Sequence, residues 1–185
     1  MFLYEECGYY KFEGRDVKFS NRRDDVLSHL VSVADYLVAN IDPATDCLCA
    51  LYGDWNDALD GLGKTDKQQP FGNGVSVMAS LQLYQNLEQL CAIFKHEGKY
   101  SEKFAAYQSV RERLKKGLIQ NAVIKSANGS KKILHGWGDD RSYYVGSDCD
   151  GDGACRDGLT SYAFWVLSDL FFETSAISTE DICSA

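Results

Sequence analysis

The amino-acid sequence predicts a mainly α fold built as an array of helical hairpins. Three observations lead there. Four segments carry apolar residues at helical spacing, long polar loops alternate with a short turn between them, and only brief strand-like stretches interrupt the pattern. A chain of 185 residues, 45% hydrophobic and 25% charged, has material for one soluble domain with a sizeable core.

The first helix is predicted over residues 24 to 39, "DDVLSHLVSVADYLVA", where Val26, Leu27, Leu30, Val33, Leu37 and Val38 form one apolar stripe. Its leading acids, Asp24 and Asp25, suit the positive end of the helix dipole. About 35 residues rich in Gly, Asp and Asn follow, broken by Pro43 and Pro70, and read as a long structured loop. The second helix is expected within residues 75 to 98, largely buried through Met78, Leu81, Leu87, Leu90, Cys91 and Phe94, and stopping at Gly98. Ser101 offers an N-cap, with Glu102 in the first turn, for a third helix to about residue 122. Phe104, Tyr107, Val110, Leu114 and Leu118 would face inward, and Arg111, Arg113, Lys115 and Lys116 would face water.

Residues 128 to 158 lose the helical period, with strand-like "KKILHGW" and "RSYYVG" between turn-forming residues. A fourth helix over 159 to 172 would place Leu159, Ala163, Phe164, Leu167, Leu170 and Phe171 on one face. The rest, "ETSAISTEDICSA", reads as a polar, uncapped tail.

Charge and cysteine content narrow the function classes. With 27 acidic and 19 basic residues the net charge is −8, which repels nucleic-acid phosphates and anionic lipid, so no nucleic-acid partner is expected. No apolar run reaches the roughly 20 residues of a membrane span, and the acidic N-terminus is unlike a secretory signal, so a cytoplasmic location without membrane contact is expected. The seven cysteines lack paired Cys-x-x-Cys spacing and read as reduced thiols, Cys47 and Cys49 as small buried ones. The Asn128-Gly129-Ser130 sequon carries little weight in that setting.

The chemistry-bearing stretch is "ALYGDWNDALDGLG", residues 50 to 63. A carboxylate desolvated by an adjacent indole holds its proton near neutral pH, which suits a general acid at a glycosidic bond. Trp55 would offer a sugar-stacking platform, and Asn56 with the flanking carboxylates would hydrogen-bond sugar hydroxyls. By composition alone the plainer alternative, aspartates in a solvated turn, is favoured.

"YGDWNDALDGLG" resembles the G-D-W-N-D-G signature of glycoside hydrolase family 94, the inverting cellobiose and chitobiose phosphorylases. The resemblance extends to "YLVANID" before it, to the helix after it, and to "GWGDDRSYYVGS" and "CRDGLTSYAFWVLSDL", over roughly residues 4 to 172. It implies that the hairpins are an arc of an (α/α)6 barrel, a six-hairpin toroid, with residues 1–173 a partial catalytic domain and 174–185 a polar tail. It implies that Asp57 is the proton donor, that Asp54 and Trp55 line the sugar subsites, and that Arg141 and Tyr144 are further substrate-binding candidates. Inorganic phosphate would be co-substrate and attack the anomeric carbon of a β-linked disaccharide or oligosaccharide, giving a sugar 1-phosphate, so no cofactor and no catalytic base are needed. An inverting hydrolase would instead need a second carboxylate about 6.5 to 9.5 Å from Asp57; an inactive sugar-binding remnant is the remaining alternative.

Ala58 departs from the family's glycine, and the family's phosphate-binding histidines, its Thr-Gly-Ser-type loop and its preceding β-sandwich have no counterpart here. The chain is thus expected to be a fragment or degenerate member without turnover of its own, and to self-associate through the flanks of an incomplete barrel.

The acidic run Asp148, Asp150, Asp152 has a second reading as the first half of a calcium loop. Leu159 stands where that loop needs its bidentate acid, so a polar turn is the expectation and no metal is assigned. Arg156 and Asp157 read as an ion pair or helix cap. Among the histidines His29 and His96 read as surface or packing residues, and His135 as a candidate to face the site.

Overall fold

The computed structural model describes residues 2–51, 74–138, 144–146 and 159–184. Their contacts divide the chain into two units, residues 1–39 and 40–185.

The N-terminal unit begins with a 3-10 turn, Phe2–Tyr4, then a β-hairpin of β1 (Glu6–Glu13) and β2 (Asp16–Asp25), then helix α1 (Val26–Ala39). Gly14 at φ 67° opens the two-residue connection Gly14-Arg15, a conformation the missing Cβ permits. Asp25 ends β2 and caps α1, its carboxylate accepting the Ser28 backbone N–H at 2.7 Å. The leading acids therefore lie before the helix, not in its first turn. The stripe predicted for α1 is also corrected. Leu27, Val31 and Ala34 are buried, whereas Leu30 and Val33 are exposed. The helix is apolar on more than one face, so periodicity alone could not choose the inner one.

In the second unit β3 (Ile41–Asp42) and β4 (Cys47–Leu48) form a tight ribbon, followed by β5 (Val75–Ser76) and the long helices α2 (Val77–Glu97) and α3 (Ser101–Asn121). Gly98, at φ 64°, ends α2 as its glycine predicts. Met78, Leu81, Leu87, Leu90, Cys91 and Phe94 are all buried, as their spacing predicts. Ser101 is already inside α3; the N-cap is Tyr100, without a side-chain cap bond. Tyr107, Val110, Leu114 and Leu118 are buried along α3.

After α3 the chain forms β6 (Val123–Lys125) and β7 (Lys131–Ile133), then β8 (Gly136–Trp137) and β9 (Tyr144–Val145), which join β5 in a three-stranded sheet ordered β5-β8-β9. The strand-like "KKILHGW" and "RSYYVG" thus supply β7, β8 and β9. The predicted fourth helix is two pieces, α4 (Thr160–Leu167) and α5 (Leu170–Glu173), broken where Asp169 takes φ 65°. Its inward residues are Ser161, Tyr162, Trp165 and Leu170, with Leu159 and Leu167 exposed, so its expected face is also corrected. The polar tail carries α6 (Thr179–Cys183), whose N-terminus is a complete capping box of Ser178 and Asp181.

The predicted mainly α toroid is overturned. The described residues form a mixed α/β chain with four small antiparallel sheets, and α2–α3 is the helical hairpin among them. An (α/α)6 arc needs helix after helix, whereas here the links between helices pair as strands and α4 has only eight residues. With the architecture goes what rested on it: membership of glycoside hydrolase family 94, phosphorolysis or hydrolysis of a glycoside, and the inactive sugar-binding remnant.

Candidate interaction surface

The sequence-predicted sugar site falls mostly outside the described residues: Asp54, Trp55, Asn56, Asp57 and Arg141 lie there, as do the calcium candidates Asp148, Asp150 and Asp152 and the pair Arg156 and Asp157. Tyr144 is half-buried on β9, opposite Trp137. His135 is buried, its Nδ1 at 2.9 Å from the Ser161 hydroxyl. Gly146, at φ 94°, closes over it, since a Cβ there would lie 2.8 Å from the imidazole. Ser161 has no exposed surface, so this pair is packing rather than an accessible nucleophile. His29 packs and His96 lies on the surface; Cys47 is buried and Cys49 half-buried.

Among the described residues no three His, Cys, Asp or Glu side chains converge as metal ligands. A notch at the α2–α3 turn, lined by Phe94, Lys95, Gly98, Lys99, Ser101 and Phe104, holds about 240 Å³. That is smaller than ordinary small-molecule sites.

The N-terminal hairpin presents a different kind of site. Side chains alternate across a strand, so Tyr10 and Phe12 of β1 share one face. Their partners across the ladder, Phe19 and Val17, stand beside them. The Tyr10 and Phe19 rings stack with centroids 4.5 Å apart. Exposure is 63% for Tyr10, 80% for Phe12, 55% for Val17 and 70% for Phe19. Three rings and a valine in that state offer on the order of 500 Å² of apolar surface, at the upper end of patches on ordinary monomers.

The other face is polar and tied down. Lys11 and Lys18, opposite one another, both bond the Glu13 carboxylate, at 2.7 and 2.6 Å. The two lysines hold that carboxyl below its usual range, Lys11 more than Lys18. Tyr9 stacks on His29 of α1 at 4.0 Å, carries the Arg22 guanidinium over its ring and donates its hydroxyl to Asp24 at 2.9 Å. The Tyr9 hydroxyl, and after it Arg22, hold the Asp24 carboxyl low. Tyr9 ties the base of this face to α1, while Lys11, Lys18 and Glu13 near the turn stay exposed, as does the aromatic face. On α1 itself Leu30, Val33 and Tyr36, one turn apart, add exposed apolar surface.

The signal for this face lies in the sequence periodicity but forms no part of the fold expected from sequence. Tyr10 and Phe12 alternate with polar residues on one side of "EGRD", and Val17 and Phe19 do so on the other, around a turn glycine. Compared with protein-family models and with curated proteins, the chain matches none.

Proposed function

We propose that this chain is a protein-interaction module that self-associates through the aromatic face of its N-terminal hairpin. The observation that carries the reading is the exposed set of Tyr10, Phe12, Val17 and Phe19 on one face of the hairpin, opposite a polar face that Tyr9 ties to His29 of α1. A two-stranded hairpin is marginal in water by itself, and covering its apolar face would stabilise it.

Two arguments favour a second copy as the occupant. Stacking two such faces would bury about 1,000 Å² in total, near the lower bound of specific interfaces. Residues 5 to 25 hold five basic and six acidic side chains, close to neutral, while the whole chain carries −8. Two acidic chains repel least where their local charge balances.

Sedimentation velocity in the micromolar range tests the reading: the wild type is expected to be dimeric, and a Phe12→Lys, Phe19→Lys variant monomeric with an unchanged circular dichroism spectrum. A wild type that stays monomeric throughout that range refutes it.

Among the described residues no helix is long and apolar enough to cross a membrane. The five described cysteines are free thiols, Cys7 and Cys183 exposed, which supports a reducing, cytoplasmic setting.

A further inference from the structure

We propose that Tyr84, Arg111 and Lys115 form a binding site for the carboxylate of an acidic peptide, which the chain fills with its own Glu173, so that residues 170 to 184 act as a strap over the site. This site lies wholly within the second unit and is independent of the hairpin.

The cradle is built from two helices. Tyr84, on α2 and fully buried, donates its hydroxyl to Glu173 Oε2 at 2.6 Å. Lys115, on α3, bonds the same oxygen at 2.8 Å, and the Arg111 guanidinium bonds Oε1. Arg111 also stacks over the Tyr84 ring, 4.1 Å from its centroid, which fixes both groups. Three donors on one carboxylate, two of them cationic, form a receptor specific for a planar anion. Burial pushes the Glu173 carboxyl up, yet the donors, Lys115 first and then Tyr84 and Arg111, overcome it and hold it at about 2. Arg111 Nε, buried without a hydrogen bond, is ion-paired with Glu88 Oε2 at 3.2 Å, so a second carboxylate holds the other side of the guanidinium.

The occupant is held at separate points. Leu170 and Ile177 are buried, Lys131 Nζ bonds the Ala176 carbonyl at 2.7 Å, and the Lys131 backbone N–H bonds Asp181 at 3.0 Å. Phe172 between them is 72% exposed. The segment leaves α4 through Asp169 in the left-handed region, which costs a non-glycine residue about 1 kcal/mol. Without that break α4 and α5 would run on as one helix, the conformation their apolar spacing favours. Release of the strap relieves that strain but exposes Leu170 and Ile177, so the closed state is the ground state, and Leu170-Phe171-Phe172-Glu173 is the template of the ligand that competes with it.

The probe is a fluorescein-labelled peptide SDLFFETSAIS, residues 168 to 178, titrated by polarisation against the full chain. It is expected to bind Glu173→Gln about tenfold or more tightly than wild type, because the strap no longer competes from its high effective concentration. The same peptide with Gln for Glu is expected not to bind. Absence of binding to folded Glu173→Gln, or equal binding of both peptides, overturns the proposal. Hydrogen exchange of the wild type needs no variant: residues 170 to 184 are expected to exchange ahead of α2 and α3. Exchange of the strap only together with those helices also overturns it.

Discussion

Phe12 and Phe94 are the same side chain in opposite circumstances. Phe12 stands 80% exposed on a two-stranded hairpin, whereas Phe94 is 2% exposed in α2, between the Tyr100 and Tyr107 rings. The contrast extends to the units that hold them. In the second unit Trp137, Trp165, Tyr84, Leu81, Leu87 and Leu114 are closed from solvent, because α2 has neighbours on α3, α4 and β4. In the N-terminal unit Leu27, Val31 and Ala34 are buried while three aromatic rings of the hairpin face out. Hydrophobic burial stabilises in proportion to the apolar area removed from water, so the closed rings of α2 and α3 contribute stability that the exposed rings of the hairpin do not. The lesson is that the aromatic residues of α2 and α3 are spent on a closed core, whereas those of the hairpin stay on the surface.

The largest effect expected is in the closed core. Leu114→Ala should cost about 2 to 5 kcal/mol by urea denaturation, through lost contacts and a cavity that rigid helices cannot close. A loss below 1 kcal/mol would mean that α3 packs far more loosely than its burial indicates.

Next comes Gly117→Ala, where the added Cβ would lie well under 3 Å from the Thr45 carbonyl oxygen. Asn121 Nδ2 bonds that same oxygen at 3.1 Å. Backbone on both sides resists movement, so a cost of about 1 to 3 kcal/mol is expected even though alanine is the better helix former. A stabilised variant would break the claim that α3 meets the β3–β4 turn here.

A smaller effect separates Glu173 from the other acids. Its carboxyl is held below the ordinary value of 4.5, at about 2, so its contribution is complete above pH 4.5 and disappears as the pH falls through about 2. With solvent screening allowed for, that contribution is about 1 to 2 kcal/mol. Melting Glu173→Gln beside wild type from pH 6 to 2 should show a gap that closes across that window. A gap independent of pH would detach the effect from the carboxylate.

The smallest change in stability belongs to the hairpin. Phe12→Ser should alter the unfolding free energy of a dilute sample by no more than about 0.5 kcal/mol, since the ring is 80% exposed. The same variant should weaken self-association. A large loss of stability under dilute conditions would show that the aromatic face belongs to an internal core, and would erase the contrast between the units.

Much of the second unit was legible in the sequence because its signals are local. The spacing from Met78 to Phe94 permits one inward face, and Gly98 supplies the left-handed residue that ends the helix. "KKILHGW" announced strands because β-branched and aromatic residues lie between turn formers. The hairpin is written in the alternation of Tyr10, Phe12, Val17 and Phe19 around Gly14, a two-residue period too short to stand out beside the long helical ones. Of the candidate sites, the carboxylate cradle could not have been read. Arg111 and Lys115 look like water-facing cations on α3, and what turns them inward is Glu173, roughly 60 positions away.

By itself the sequence determined where α2 and α3 run, where α2 ends, and which of their apolar residues are buried, since helical period and caps act over a few residues. Only the tertiary structure decided that the links between helices pair as strands, that α1 turns Leu27 rather than Leu30 inward, and that the last helix breaks at Asp169. Each of those outcomes is a choice among locally acceptable conformations. The choice is made by partners distant in sequence, through the area they bury and the hydrogen bonds they complete.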